Sequence, residues 1–158
     1  MRDMAVHLIR HADAGRRGSW RGPDGERPLV DAGLAQAQAL AVEPALARVR
    51  RILSSPLVRC VQTVQPLADT LGIVVEPNPA LAEGADIEQS WALLESLAGE
   101  EEAVLCSHGD VIPPLLERLA HRGIPVAGPD GNVAKGSVWT VEAAPDGRLT
   151  TARLGFAP

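Results

Sequence analysis

Two arginines, two histidines and one glutamate of this chain fall where strands should end, and together they suit phosphoryl chemistry. The run Val6-His7-Leu8-Ile9 stops at Arg10-His11, and a segment rich in Gly and Arg follows. That pattern predicts a buried strand delivering a guanidinium and an imidazole to a sheet rim, where open α/β sheets gather their ligands. An arginine forks onto phosphate oxygens. A histidine serves near neutral pH as nucleophile, acid or base. Arg59 lies in the first helical turn expected after a second strand. Glu83 lies in a loop after a third, and His108 stands inside Ser107-His108-Gly109-Asp110 after a fourth. Parallel strands would bring all five to one rim. Arg59 is off the apolar stripe Leu57, Val61, Val64, so it should point from a helix N-terminus, itself favourable to anions, towards that rim. Such a set makes an anion pocket of phosphate size.

The elements that must position these residues alternate along the chain. Strands are expected at Met4–Ile9, Arg51–Ser54, Ile73–Glu76 and Ala103–Cys106, the last apolar enough for a sheet centre. A first helix follows Asp31 as N-cap, with Leu34, Ala37, Leu40 and Ala41 on one face, and Pro44 should kink or end it. Ser55 caps a second, with Pro56 at its first position; Pro66 should bend it and Gly72 stop it. Asp86 starts a third, carrying Ile87, Trp91 and Leu94. Asp110 opens a fourth, carrying Leu115, Leu116 and Leu119. Residues 12–28 and 123–136 read as loops. Ser137–Ala143 and Arg148–Leu154 flank Pro145-Asp146-Gly147 as a hairpin. The expected fold is α/β: three layers, α/β/α, around a mostly parallel sheet of roughly six strands with an antiparallel edge hairpin.

Length and composition narrow the function classes. A chain of 158 residues with 46% hydrophobic content should form one domain, 1–158, with a substantial core. No apolar run is long enough to span a bilayer, and His7, Arg10 and His11 interrupt any signal-peptide core, so a cytoplasmic protein without membrane association is expected. A net charge of −5 disfavours a nucleic-acid partner. Cys60 and Cys106 lack the spacing of a zinc site or a disulfide framework and read as small buried hydrophobes. His7, His11, Cys106 and His108 fit no familiar zinc spacing either, and neighbouring arginines would repel a cation. His7 reads as a strand residue with a local hydrogen bond, and His121 as helix surface.

The motifs, taken in order, resemble those of the histidine phosphatase superfamily. Leu8-Ile9-Arg10-His11-Ala12 is similar to its Arg-His-Gly/Ala signature. Pro28-Leu29-Val30-Asp31-Ala32-Gly33-Leu34-Ala35-Gln36-Ala37 is similar to its Pro-Leu-Thr-x-x-Gly-x-x-Gln-Ala segment. Ser54-Ser55-Pro56-Leu57-Val58-Arg59-Cys60-Val61-Gln62-Thr63 resembles its Ser-Ser-Pro-x-x-Arg-x-x-Gln-Thr motif, and Ser107-His108-Gly109 its second histidine motif. The short length resembles the small phosphohistidine phosphatases of the SixA type. Lys135-Gly136-Ser137-Val138-Trp139 resembles the histidine phosphatase domain fused to Nudix hydrolases in actinobacteria, here without a Nudix box. Val30, Cys60 and Ala12 depart from the usual threonine, alanine and glycine.

The resemblance implies a two-step phosphoryl transfer that needs no metal and no cofactor. Neutral His11 attacks phosphorus, a phosphohistidine forms, and water hydrolyses it; the other ring nitrogen should donate to a backbone carbonyl. Arg10, Arg59 and His108 would hold the phosphoryl oxygens. Glu83 would protonate the leaving oxygen, which calls for a raised pKa; Asp110 is the alternative donor, though better suited to capping the helix after His108. Among the loop cations, Arg16, Arg17, Arg21 and Lys135 are candidates to receive a second phosphate, a nucleotide tail or an acidic protein surface. Partners would be a phosphorylated small molecule or a phosphohistidine protein. A phosphate- or phosphoprotein-binding module with little turnover is the reading from another class. A phosphoglycerate mutase would need insertions for which the chain is too short.

Overall fold

Residues 3–129 and 133–157 are described in the computed structural model. Residues 130–132 of the anticipated 123–136 loop lie outside them. The strands are β1 (Met4–Arg10), β2 (Arg51–Ser54), β3 (Val75–Pro77), β4 (Ala103–Ser107), β5 (Val126–Ala127), β6 (Val138–Ala143) and β7 (Leu149–Phe156). They form one sheet in the order β3-β2-β4-β1-β6-β7-β5. The first four run parallel, while β6 runs antiparallel to both β1 and β7.

The helices are α1 (Asp31–Ala41), α2 (Val58–Leu71), α3 (Ile87–Leu97) and α4 (Ile112–His121). Alternation along β1 separates the two cores. Val6 and Leu8 pack with Trp91 and Leu94 of α3 and with Leu115 and Leu119 of α4. Ile9, on the opposite face, packs with Leu40 of α1 and with Val64 and Leu67 of α2. β4 is buried along its whole length, as a strand covered on both faces requires. The result is the expected three-layer α/β/α arrangement.

Several local details differ from the sequence expectation. The sheet has a seventh strand, because two residues of the anticipated loop, Val126 and Ala127, pair with β7; a pair that short has no periodicity to read. The hairpin therefore sits between β1 and β5, with β6 against the sheet centre. α1 begins at Asp31 itself, whose charge lies in the first turn, and Val30 occupies the cap position without a side-chain bond. α2 begins at Val58 rather than Pro56, and it continues through Pro66 to Leu71. Ser55 Oγ does accept the Leu57 N–H at 3.3 Å, one step before the helix, and is thereby left facing the sheet rim. Asp110 does not cap α4; its Oδ2 accepts the Gly84 N–H at 2.8 Å. Asp86 does cap α3 through the Glu88 N–H. His7 bonds across the sheet, to Thr140 at 3.0 Å and Glu102 at 3.3 Å. No helix among the described residues is long and apolar enough to cross a membrane.

Candidate active site

Strand register brings the chemistry to one edge. Arg10 pairs with Ser107, and Ser54 with Cys106, so β1, β2 and β4 end level. The next residues of each strand, His11, Ser55 and His108, therefore share a rim. The His11 N–H continues the ladder to the Ser107 carbonyl, and the Ser55 N–H to that of Cys106. α2 clamps the first loop: Thr63 Oγ1 accepts the Ala12 N–H at 2.9 Å and donates to the Arg59 carbonyl at 2.7 Å. Gln36 accepts the Asp13 N–H and Gln62 the Leu29 N–H, so both motif glutamines act as backbone braces. Gly33 is small for a reason: a Cβ there would lie 2.0 Å from the Asp13 carbonyl oxygen.

His11 is buried, and its Nδ1 lies 2.8 Å from its neighbour's carbonyl, Ala12 O. A carbonyl only accepts, so Nδ1 carries the proton and Nε2 keeps its lone pair. Burial pushes the imidazole pKa down to about 4; the Ala12 bond opposes this, and the positive potential of His108, Arg59 and Arg10 adds to it. His11 is thus neutral near pH 7. The His108 ring lies edge-on to it, with centroids 5.3 Å apart.

Arg59 is entirely buried, which the reading of a rim-pointing side chain did not anticipate. Its outer nitrogens are engaged from the Gly- and Arg-rich loop: Nη1 donates to the Asp24 carbonyl at 3.0 Å, and Nη2 to Asp24 Oδ2 at 3.2 Å. Glu83 Oε1 is 3.4 Å from the same Nη2. Arg10 donates from Nη1 to the Val133 carbonyl at 2.6 Å. Its guanidinium lies so close over Gly109 that a Cβ there would meet Arg10 Cζ and Nη2 at 2.9 Å. Among the described residues, five buried side-chain polar atoms lack a partner, and three of them are Arg10 Nε, Arg59 Nε and His108 Nδ1. Unpaired buried polar atoms are costly, so three of them on the motif residues Arg10, Arg59 and His108 mark a place for a partner.

A cavity of about 380 Å³ opens onto the site, lined by Arg10, His11, Gly15, Arg17, Arg27, Glu83, Gly109, Asp110 and Lys135. Arg59 and His108 do not line it but touch residues that do, Arg59 at Glu83 and His108 at His11. Arg16 and Arg21 are exposed and do not line it; the loop turns them outward and presents Arg17 and Arg27 instead. Arg17 binds Glu83 at 2.9 Å and Asp24 at 3.4 Å, and Arg27 binds Asp24 at 3.3 Å. Lys135 stands 4.0 Å from Asp13. Glu83 is where the sequence suggested, yet its carboxyl is not poised as an acid. Partial burial raises its pKa, but the hydrogen bond and charge of Arg17, with Arg59 behind, outweigh this and hold it below the usual carboxylate value. Sequence reasoning missed Asp24, Arg27 and Ser55. Asp24 and Arg27 lie in a stretch whose spacing carries no periodicity, and Ser55 read as a helix cap.

A parallel-stranded rim holding a neutral buried imidazole among guanidinium groups defines a class of anion-processing α/β proteins. The model of the histidine phosphatase superfamily (branch 1) matches residues 6–90, and the chain belongs to that superfamily. Over 151 residues it is 36% identical to a Mycolicibacterium smegmatis protein named 8-oxo-(d)GTP phosphatase; the match covers 93% of this chain and 46% of that one. The chain thus spans about half the length of this relative. The structure of the protein histidine phosphatase SixA complexed with tungstate superposes with a TM-score of 0.74 at 24% identity, covering 93% of each chain. A structure from Agrobacterium tumefaciens assigned to SixA gives 0.72 at 26% identity, covering 98% of each.

Proposed function

We propose that the chain is a phosphatase that removes a phosphoryl group from a phosphomonoester or phosphohistidine through a covalent phosphohistidine on His11. The observation that carries this is a buried imidazole with a free lone pair, His11, whose ring lies 5.3 Å from that of His108, on a rim whose Arg10, Arg59 and His108 each keep one buried nitrogen without a partner among the described residues. His11 Nε2 attacks phosphorus in line with the leaving oxygen. The three donors hold the phosphoryl oxygens and take up charge as the transition state forms. Positive charge comes from the guanidinium groups, so no metal or cofactor enters this scheme. Lys135 and Arg17 at the mouth contact the remainder of the substrate, and Arg16 and Arg21 contribute only where that remainder extends beyond the cavity.

Glu83 is the proton donor in this scheme, and it begins ionised. An incoming phosphate dianion competes for Arg17 and Arg59, frees the carboxylate, and by its own charge raises the carboxyl pKa. The carboxylate, its pKa raised, takes up a proton from solvent at the cavity mouth, gives it to the leaving oxygen, and afterwards takes one from the water that attacks the phosphohistidine. The paired state of Glu83 in the free protein also supports a second reading, a phosphate-binding module with little turnover. A substrate panel should include a phosphohistidine peptide and, from the name of the M. smegmatis relative, a purine nucleoside di- and triphosphate.

The deciding experiment is turnover of an aryl phosphate by the wild type and His11→Ala, each with and without chelator, together with acid-quench trapping of labelled phosphate. The proposal expects turnover insensitive to chelator, loss of activity in the variant, and an acid-labile, base-stable adduct on His11. Binding of phosphate without labelling would leave only the binding module. Activity undiminished in the variant would reject the mechanism.

A further inference from the structure

Resting on the proposed phosphoryl site, the geometry points to Ser55 and Cys60 as positioning residues that fix the tautomer of His108, so that Nδ1 is the nitrogen donating to the anion. The argument is an accounting of protons around one buried ring. His108 Nε2 lies 2.8 Å from Ser55 Oγ and 3.5 Å from Cys60 Sγ, while Nδ1 has no partner among the described residues. Ser55, Cys60 and His108 are all buried, which shields these contacts from bulk solvent.

Ser55 Oγ already accepts the Leu57 N–H at 3.3 Å, and its own proton needs an acceptor. The Nε2 lone pair is the nearest one. Cys60 has its carbonyl choice too, since Sγ stands 3.7 Å from the Ser107 oxygen, so its thiol proton can turn to that oxygen or to Nε2. With the Ser55 hydroxyl donating to it, Nε2 of the neutral ring carries no proton in either arrangement. With Nε2 accepting, the hydrogen of a neutral imidazole must sit on Nδ1, and every group in the cluster is then satisfied except the one donor directed at the phosphoryl group. The opposite tautomer would turn a lone pair towards a dianion and push the Ser55 proton onto the Cys60 sulfur, a weaker acceptor than the imidazole nitrogen.

Cys60 makes the arrangement particular to this chain, because the related motif places alanine there. Two groups, rather than one, can hold Nε2. Loss of either alone leaves the other in place, and loss of both frees the ring. Cys106 of β4 braces the same turn of α2, its Sγ donating to the Cys60 carbonyl at 3.5 Å.

The test reads the ring directly, on the full chain without substrate. Long-range ¹H–¹⁵N correlation spectra, with His108 assigned by comparison with His108→Asn, report which nitrogen bears the proton. Wild type should show the Nδ1–H form. Ser55→Ala with Cys60→Ala should shift His108 towards the Nε2–H form and weaken tungstate binding roughly tenfold, the scale of one hydrogen bond to a charged acceptor. Ser55→Ala alone should fall between, and Cys60→Ser in the Ser55→Ala background should recover much of both signals. An Nε2–H ring in the wild type would overturn the inference even if no variant folded. A double variant that keeps both tautomer and affinity would overturn it as well. Because the tautomer is read without turnover, an inactive protein with an Nδ1–H ring would fail the proposed function and leave the assignment of Ser55 and Cys60 standing.

Discussion

Replacing His11 by glutamine should remove most of the acid sensitivity that this one ring imposes on the fold. Folded, the imidazole has its pKa pushed by burial down to about 4, against 6.5 for an exposed histidine. Between those values the unfolded chain binds a proton that the folded chain refuses. Stability therefore rises with pH through this window and is lost as pH falls from about 6.5 to 4. At 1.36 kcal/mol for each tenfold difference in proton affinity, the full loss is about 3 kcal/mol. His7 is also held low, chiefly by burial with Glu102 opposing, but it is present in both proteins and cancels in the comparison. The assay is urea unfolding of wild type and His11→Gln at pH 7, 6, 5 and 4, with imidazole NMR titration of the folded wild type. Wild type should lose about 3 kcal/mol more than the variant between pH 7 and 4. Parallel stability curves, or a His11 ring titrating near 6.5, would refute the claim that burial keeps this nucleophile neutral.

Further expectations follow from single contacts. Gly109→Ala places a Cβ 2.9 Å from the Arg10 guanidinium, the mobile end of a side chain; kcat/KM should drop about tenfold or more while thermal unfolding changes little, and an unaltered kcat/KM would show that Arg10 does not need that position. Gly33→Ala meets backbone instead, at 2.0 Å from Asp13 O, so it should cost at least about 2 kcal/mol in urea unfolding. Asp24→Asn takes a carboxylate from Arg17, Arg27 and Arg59; inorganic phosphate should then inhibit several-fold more strongly, on the order of 1 kcal/mol for one nearby charge, and weaker inhibition would mean that Asp24 chiefly orients Arg59. Glu83→Gln should slow alkyl phosphates far more than nitrophenyl phosphate, whose leaving group needs no proton; equal loss on both would remove Glu83 as the donor.

The sequence by itself determined the order of the four helices and of every strand but β5, the two faces of β1 and the motif residues at each strand end, because apolar periodicity is a local property. The match of residues 6–90 to the superfamily rests on the same local strings. What the tertiary structure decided is who faces whom. Arg59 looked like a rim cation and is instead fully buried, with Asp24 of the loop that follows β1 bonded to its outer nitrogens. Ser55 looked like a cap and reaches His108, because β2 and β4 end level. Glu83 looked like an acid and is ion-paired, a state set by Arg17 from a loop 66 residues away in the chain. Charge pairing and proton placement depend on distances of a few ångströms between segments remote in sequence, and no spacing along one strand or helix encodes them.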